Sequence, residues 1–423
     1  MKTPTTFALV GWVTAIVLAS AGSAKADTWT RKADMPTPRW AHAIAVVNDK
    51  IYAIGGIATE TARLNGKALA AVEEYDPATD TWTRKADMPA GMAATKAYGD
   101  AAPPVVDGKI YLMGGGTTGS AHVDIYDPVI DTWSRGTNMP TPRNNAATAI
   151  WNDKIYVFGG LRSFSQAQSL NRTEVYDPKT DAWTEAAPMP RGVWGHSANV
   201  VDDKIYVIGG GSAEKAEQIH QVYDPQTDTW TNAPPLPMAV RNFGASVLRG
   251  RIYVVGGWLN GSSVPYSDTW VYDPILDTWT ASAPLPEPRI PSMSMVNGRM
   301  YAIGGSPRGH NIQATATVYE LTLGYDLTGD GVVDAQDMSI LVDYWHTDNP
   351  RYDVNADGIV DVQDLIALSE HLFEDYRLIA HWKLNESEGD VAYDSAGLND
   401  ATLNGGPLWQ PYGGIVDGAL QFD

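Results

Sequence analysis

Six times along this chain a short apolar run ends in a Gly-Gly pair. The runs read KIYAIGG, KIYLMGG, KIYVFGG, KIYVIGG, RIYVVGG and RMYAIGG, closing at Gly56, Gly115, Gly160, Gly210, Gly257 and Gly305. Polar residues do not alternate within them, so both faces of each run are apolar, which predicts a strand buried on both sides. The glycines end the strand where the backbone turns with positive φ or passes another segment closely. Five times a Tyr-Asp-Pro follows, at Tyr75, Tyr126, Tyr176, Tyr223 and Tyr272. Proline cannot donate to a ladder, so it ends a third strand there. A tryptophan comes next in each case (Trp82, Trp133, Trp183, Trp230, Trp279), at successive spacings of 51, 50, 47 and 49 residues.

A single sheet of this kind cannot bury two apolar faces, but several arranged around an axis can, with few open edges. The chain ends fix the number. The sequence DTWTRKADMP carries Trp29 with no Gly-Gly before it, and the last repeat has Gly305 and Tyr319-Glu320 with no tryptophan after it. The strand around Trp29 is therefore expected to complete the last sheet. Six Gly-Gly pairs and six tryptophans predict a six-bladed propeller over residues 27–322, closed by its N-terminal strand.

Two other patterns flank this body. Lys2 precedes an uncharged apolar run from Phe7 to Ala21, and Ala24-Lys25-Ala26 fits a small-x-small cleavage site. The run is shorter than the roughly 20 residues of a spanning helix, so residues 1–26 are expected to be a signal peptide, leaving a secreted or cell-surface protein with no membrane span. After the propeller, Met338, Leu341 and Trp345, and then Leu365, Leu368 and Leu372, form two helical stripes. Each stripe follows an acidic loop. Asp326, Thr328, Asp330, Val332, Asp334 and Asp337 fall at positions 1, 3, 5, 7, 9 and 12 of the first. Asp353, Asn355, Asp357, Ile359, Asp361 and Asp364 repeat that set 27 residues later. Calcium takes six to eight oxygens, with a backbone carbonyl from position 7 and a glycine at position 6 for the turn; Gly331 and Gly358 stand there. Two calcium ions are the expected cofactors.

The charge balance narrows the partners. The chain has 30 basic and 50 acidic residues, net −20, which repels phosphate backbones and argues against nucleic acid. There is no cysteine, so disulfides, thiol nucleophiles and zinc-thiolate sites are excluded.

Gly-Gly, then Tyr, then Trp, at about 50 residues per repeat, is similar to the kelch family of propellers. The last repeat departs from it with Tyr319-Glu320 in place of Tyr-Asp-Pro, and the stretch after Met88-Pro89 lacks the Pro-Arg that follows Met35-Pro36. The doubled loop with one following helix, and Asp at position 12, resembles the type I dockerin family over residues 323–376. That resemblance implies docking to a cohesin-bearing scaffold protein through loop positions 10 and 11, here Ala335-Gln336 and Val362-Gln363, and through the following helix. The close match of the two copies implies docking in two orientations. Residues 377–423 resemble the opening strands of a laminin-G-like, concanavalin-like jelly roll, carried by Trp382, Asp394-Ser395, Gly405-Gly406 and Gly418-Ala419-Leu420. The sequence stops inside an apparent strand of that segment, as a fragment would.

The stretches after each Met-Pro or Leu-Pro gather at one channel mouth in kelch propellers. They bring Arg39, Trp40 and His42; Arg143, Asn144 and Asn145; Arg191, Trp194 and His196; Arg241, Asn242 and Phe243; and Arg289. Arginines, amides and aromatics around a mouth suit an anionic or carbohydrate ligand, whereas arginines belonging to the repeat itself bridge blades. Trp40, His42, Asn144, Arg191, Trp194, His196, Arg241 and Asn242 are the ligand candidates. No catalytic constellation emerges from the spacing of the remaining residues. The leading expectation is a secreted binding protein presenting a glycan- or protein-binding face. The alternatives are a carbohydrate-active enzyme, of sugar-epimerase or glycan-degrading type, delivered by the dock, and a surface adhesin.

Overall fold

The computed structural model describes residues 27–58, 68–89, 102–116, 118–163, 168–212, 215–259, 262, 264–307, 313–323, 327, 335–349, 352–354, 358–369, 391–392, 401–402, 408–410 and 419–421. The expected signal peptide lies outside them, as does most of the expected jelly-roll segment. Of that segment the structure gives two short pairings, Val391–Ala392 with Ala401–Thr402 and Leu408–Gln410 with Ala419–Gln421.

The body is mainly β: six four-stranded antiparallel sheets spanning residues 43–84, 105–136, 147–186, 197–232, 244–282 and 292–322, the last completed by Thr28–Lys32. We number these blades 1 to 6. The N-terminal strand pairs with the strand Val318–Thr322 in a register that sets Trp29 opposite Leu321, closing the ring as the terminal sequences require.

The second strand of each blade explains the apolar runs. In Lys204–Ile208 only the lysine at the start keeps partial exposure, and the other four residues are buried. An apolar cluster fills each seam between blades. Blades 1 and 2, for instance, share Tyr52, Ile54, Ile110 and Tyr126, and blades 6 and 1 share Ile44, Ile51, Tyr75, Tyr301 and Ile303. Each such side chain contributes about 1.5–3 kcal/mol of transfer free energy, which is why unalternated strands suit this architecture.

The Tyr and Trp of the repeat lie opposite one another across the third and fourth strands. In blade 1 the Tyr75 and Trp82 rings are 5.0 Å apart, and in blade 4 the Tyr223 and Trp230 rings are 4.9 Å apart. The tryptophans also tie blades together. Trp82 Nε1 donates to the Ala33 carbonyl at 3.0 Å, Trp183 Nε1 to Thr137 at 2.9 Å, Trp230 Nε1 to Ala187 at 3.0 Å and Trp29 Nε1 to Ala283 at 2.9 Å.

The second unit of the chain holds two helices, α1 (Ala335–Asp343) and α2 (Val362–Ser369), which pack on each other. Leu341 and Leu368, central to the two sequence stripes, are both wholly buried. Residues 346–360 fall in the same unit as the propeller; there His346 N–H donates to the Val360 carbonyl and Arg249 Nη2 to the Val354 carbonyl at 3.1 Å.

Candidate functional site

The acidic loops come first. Of the expected ligands, Asp326, Thr328, Asp330, Val332, Asp334, Asn355 and Asp357 lie outside the described residues. The rest are placed. Asp337 and Asp364, at loop position 12, are wholly buried in the first turns of α1 and α2. Asp337 Oδ1 accepts from the Leu327 N–H at 2.6 Å, and Asp364 Oδ2 from the Asp361 N–H at 2.7 Å. Asp361 in turn accepts from the Gln363 N–H at 2.7 Å, so Asp361 and Asp364 cap the α2 N-terminus reciprocally. Asp353 is buried and accepts from the Gly358 N–H at 2.8 Å. Gly358 takes φ +97, the left-handed turn the sixth loop position requires. Ile359 is half exposed. Carboxylates are the residue type a hard cation takes, but among the described residues no group of three or more acidic or histidine side chains is gathered to hold one. Val362 and Gln363 are exposed on the first turn of α2; Ala335 and Gln336 open α1.

The propeller stretches resolve into three structural columns, counted from the proline of Met-Pro or Leu-Pro. Three residues on stand Arg39, Arg143, Val193, Val240 and Arg289. Arg39, Arg143 and Arg289 are wholly enclosed within their blades. Arg39 pairs with Glu73 at 2.7 Å and donates to the carbonyls of Thr37, Ala53, Gly55 and Ala71. Arg143 pairs with Glu174 at 2.6 Å. Arg289 pairs with Glu287 at 2.8 Å and lies over the Tyr319 ring. These three are struts of the fold. The five arginines are therefore not one set: Arg191 stands one residue after its proline and Arg241 four.

The next column holds Trp40, Asn144, Trp194, Arg241 and Ile290. The first four form isolated bridges with the residue after Gly-Gly, namely Ile57, Leu161, Gly211 and Trp258. Ile290 N–H donates to the Ser306 carbonyl. The glycine before such a bridge is under tight constraint. A Cβ on Gly210, at φ +81, would stand 2.7 Å from the Trp194 carbonyl oxygen and 2.8 Å from the His196 Cβ.

Beyond it, Ala41, Asn145, Gly195 and Asn242 all adopt left-handed φ between 47 and 64. Gly195 N–H donates to the Asn145 carbonyl and Asn242 N–H to the Gly195 carbonyl, which laces blades 3, 4 and 5. Asn242 thus serves the backbone, since asparagine tolerates this conformation. His42 and His196 follow, buried between blades. Neither has a hydrogen-bonded ring nitrogen among the described residues. Burial holds His42 well below the ordinary imidazole range and His196 at about 3, although the Phe158 backbone works in the other direction for His196. Both are neutral at physiological pH.

Arg191 is half exposed. Its Nη2 meets Glu217 at 2.7 Å and its N–H donates to Gln221 Oε1 at 2.7 Å. It borders a cavity of about 460 Å³ at the seam of blades 3 and 4, lined also by Gln168, Ser169, Asn171 and Ser212. Asn144 Nδ2 donates to the Gly116 carbonyl at 2.8 Å.

Sequence reasoning missed the aspartate of the turn that reads Asp-Thr-Trp, or Asp-Ala-Trp at Asp181. Asp80, Asp131, Asp181 and Asp228 each accept the hydroxyl proton of their blade's Tyr and a backbone N–H of the preceding blade (Ala33, Ala86, Thr137, Ala187). The Ala33, Thr137 and Ala187 carbonyls accept the tryptophan indoles named above. The signal was present as an aspartate two residues before each of the five repeat tryptophans, Trp82, Trp133, Trp183, Trp230 and Trp279.

Comparison with known proteins agrees with this architecture. Residues 105–305 match the KLHDC2/KLHL20/DRC7 Kelch-repeats domain, residues 38–89 the Kelch motif, and residues 324–373 the Dockerin type I domain. Beta-scruin of Limulus polyphemus is 31% identical over 154 residues, covering 34% of this chain and 16% of that protein. The Kelch-like protein terF of Aspergillus terreus is 37% identical over 145 residues, 31% of this chain and 30% of that protein. Mouse Kelch-like protein 35 is 30% identical over 145 residues, 33% of this chain and 23% of that protein. The matched stretches thus span less than a third of these relatives. The solved structure titled "Structure of YjhT" superposes with a TM-score of 0.56 at 20% identity, covering 68% of this chain and 96% of the other, a likeness of fold. The chain is a six-bladed kelch-repeat propeller that carries a type I dockerin domain.

Proposed function

We propose that this protein is an exported binding protein, docked through a calcium-loaded dockerin onto a cohesin-bearing scaffold partner, whose propeller presents a ligand face for a glycan or protein. A kelch propeller joined to a dockerin suggests an interaction or docking role. The observation that carries the finer reading is the pair of wholly buried carboxylates, Asp337 and Asp364, opening two short helices. Without a bound cation such groups disfavour the fold; with one, loop and helix are held together. Two ions, one per loop, are proposed. Export is supported by the N-terminal sequence, and no helix among the described residues is long and apolar enough to cross a membrane.

The test is retention of the full chain on immobilised type I cohesin modules in calcium and in chelator. Retention in calcium and release in chelator is the expected result; equal retention in both, or none in either, overturns the docking reading. A carbohydrate-active enzyme delivered by the same dock is a second reading, favoured by the amide- and hydroxyl-lined cavity beside Arg191. Its test is turnover on a sugar panel that disappears in Arg191→Ala.

A further inference from the structure

The struts of blades 1 and 3 consist of an arginine and an acid at the second residue of the third strand, Arg39 with Glu73 and Arg143 with Glu174. In blades 4 and 5 both members are gone together. Val193 and Val240 replace the arginine, and Gln221 and Trp270 replace the acid. Yet blade 5 keeps an arginine one residue further on. Arg241 occupies the column of Trp40, Asn144, Trp194 and Ile290, where no strut acid reaches it.

Its surroundings are aromatic. The guanidinium carbon lies over the Trp194 ring at 4.1 Å and over the Trp258 ring at 5.2 Å. Both rings are fixed: Trp194 Nε1 donates to the Ser212 carbonyl at 3.1 Å and Trp258 Nε1 to the Ser262 carbonyl at 2.8 Å. Arg241 is only 6% exposed. Its Nε and Nη1 have no hydrogen-bond acceptor, and no carboxylate pairs with it, among the described residues. Burial alone brings it down to about 10, so it keeps its proton. Ring faces attract the charge by about 0.5–2 kcal/mol, but they supply no acceptor oxygen, and each buried N–H left unmatched costs about 1–3 kcal/mol. A chain of net charge −20 has acid to spare, yet among the described residues none pairs with Arg241.

We propose that Arg241, held between Trp194 and Trp258, is the anion-recognition group of the propeller and takes the oxyanion, carboxylate or sulfate ester, of a small acidic sugar. The guanidinium fork matches such a group with paired N–H donors. The ligand supplies the acceptor that the strut acid supplies in blades 1 and 3. This rests on the reading of the propeller as a ligand-presenting body, and not on the dock.

The experiment titrates the full chain in calcium with glucuronate, glucose 6-sulfate and glucose, read by calorimetry and by tryptophan fluorescence. At least one anionic sugar is expected to bind about ten- to a hundred-fold more tightly than glucose, the range of one or two charge-assisted hydrogen bonds, and which one binds identifies the oxyanion. Arg241→Met, which keeps the stem against the rings and removes the unmatched N–H groups, is expected to remove that preference without lowering the melting temperature. If Arg241→Met does not fold, Arg241→Lys keeps the charge without the fork and is expected to lose most of the preference. Equal binding of all three sugars by the wild-type chain, or the same preference in the variant, overturns the proposal. In the first case the ligand-presenting reading stands without it. Binding of none of the three also overturns it, leaving Arg241 as an aromatic-clamped strut.

Discussion

Asp80 accepts the hydroxyl proton of Tyr75 at 2.6 Å while its own backbone sits at φ +53. The same carboxylate oxygen accepts the Ala33 N–H at 2.9 Å, and the Ala33 carbonyl accepts Trp82. One turn residue thus joins a cross-strand aromatic pair to the neighbouring blade. Asp80→Ala leaves two donors unmatched and places alanine in a left-handed turn, which is expected to cost about 2–4 kcal/mol. Asp80→Asn keeps an acceptor and a tolerated backbone, and is expected to cost about half as much. Denaturant midpoints of the two variants check the order.

The strut arginines make a different prediction. Removing only one member of the Arg39–Glu73 pair strands a buried charge, so Glu73→Ala is expected to cost about 3–5 kcal/mol. Replacing both, with Arg39→Met and Glu73→Leu, is expected to cost far less than the sum. A double-mutant cycle of unfolding free energies measures the coupling.

Two pH windows follow from the buried groups. His196 is held at about 3 in the fold, against 6.5 in the unfolded chain. The unfolded state therefore binds the extra proton between these values, and stability contributed by the neutral imidazole is full above pH 6.5 and declines as pH falls towards 3. Phe243 occupies the matching position in blade 5, so His196→Phe is expected to fold and to flatten part of that decline. Asp80, Asp131 and Asp181 are held below the ordinary carboxylate range. Burial opposes this at Asp80 and Asp131, but the tyrosine hydroxyl and backbone N–H groups outweigh it; at Asp181 the Thr137 N–H leads. Their contribution is complete above about pH 4 and is lost only as pH falls through their lowered values. Thermal melts across pH 2–8 for wild type and His196→Phe separate the two windows.

Calcium should be countable. Wild-type protein is expected to take up two ions by calorimetry, and Asp337→Ala or Asp364→Ala one. Chelator is expected to lower helical circular dichroism while leaving the propeller's melting transition in place.

The blades were legible because the repeat states its own geometry. Unalternated apolar runs require burial on both faces, and the missing tryptophan after Tyr319 is supplied by Trp29. The dockerin module was legible for the same reason, since the spacing of its acidic positions is its signature. The mouth was less so. Arg39, Arg191 and Arg241 look alike as arginines near a proline, yet a shift of two residues or one decides whether the guanidinium points into a blade, into solvent or onto tryptophan. His42 and His196 read as ligand candidates because the sequence does not reveal that their rings fill a seam. Asp80 and its counterparts escaped notice because an acid in a turn usually means only a solvated loop, and their backbone partners lie 41 to 47 residues away in the preceding blade.

The pairing of Trp29 with Leu321 has a consequence for how the chain assembles. Trp29 is made well before Leu321 and meets it only after nearly three hundred further residues have emerged. Until then, blade 6 lacks its outer strand and blade 1 faces an open seam. Any early blades that form must wait in an unclosed arc, with the apolar surface of Ile51 and Tyr75 uncovered. A change of even a few residues near Asp27 would therefore be felt as a failure of the whole ring to shut, far from the site of the change.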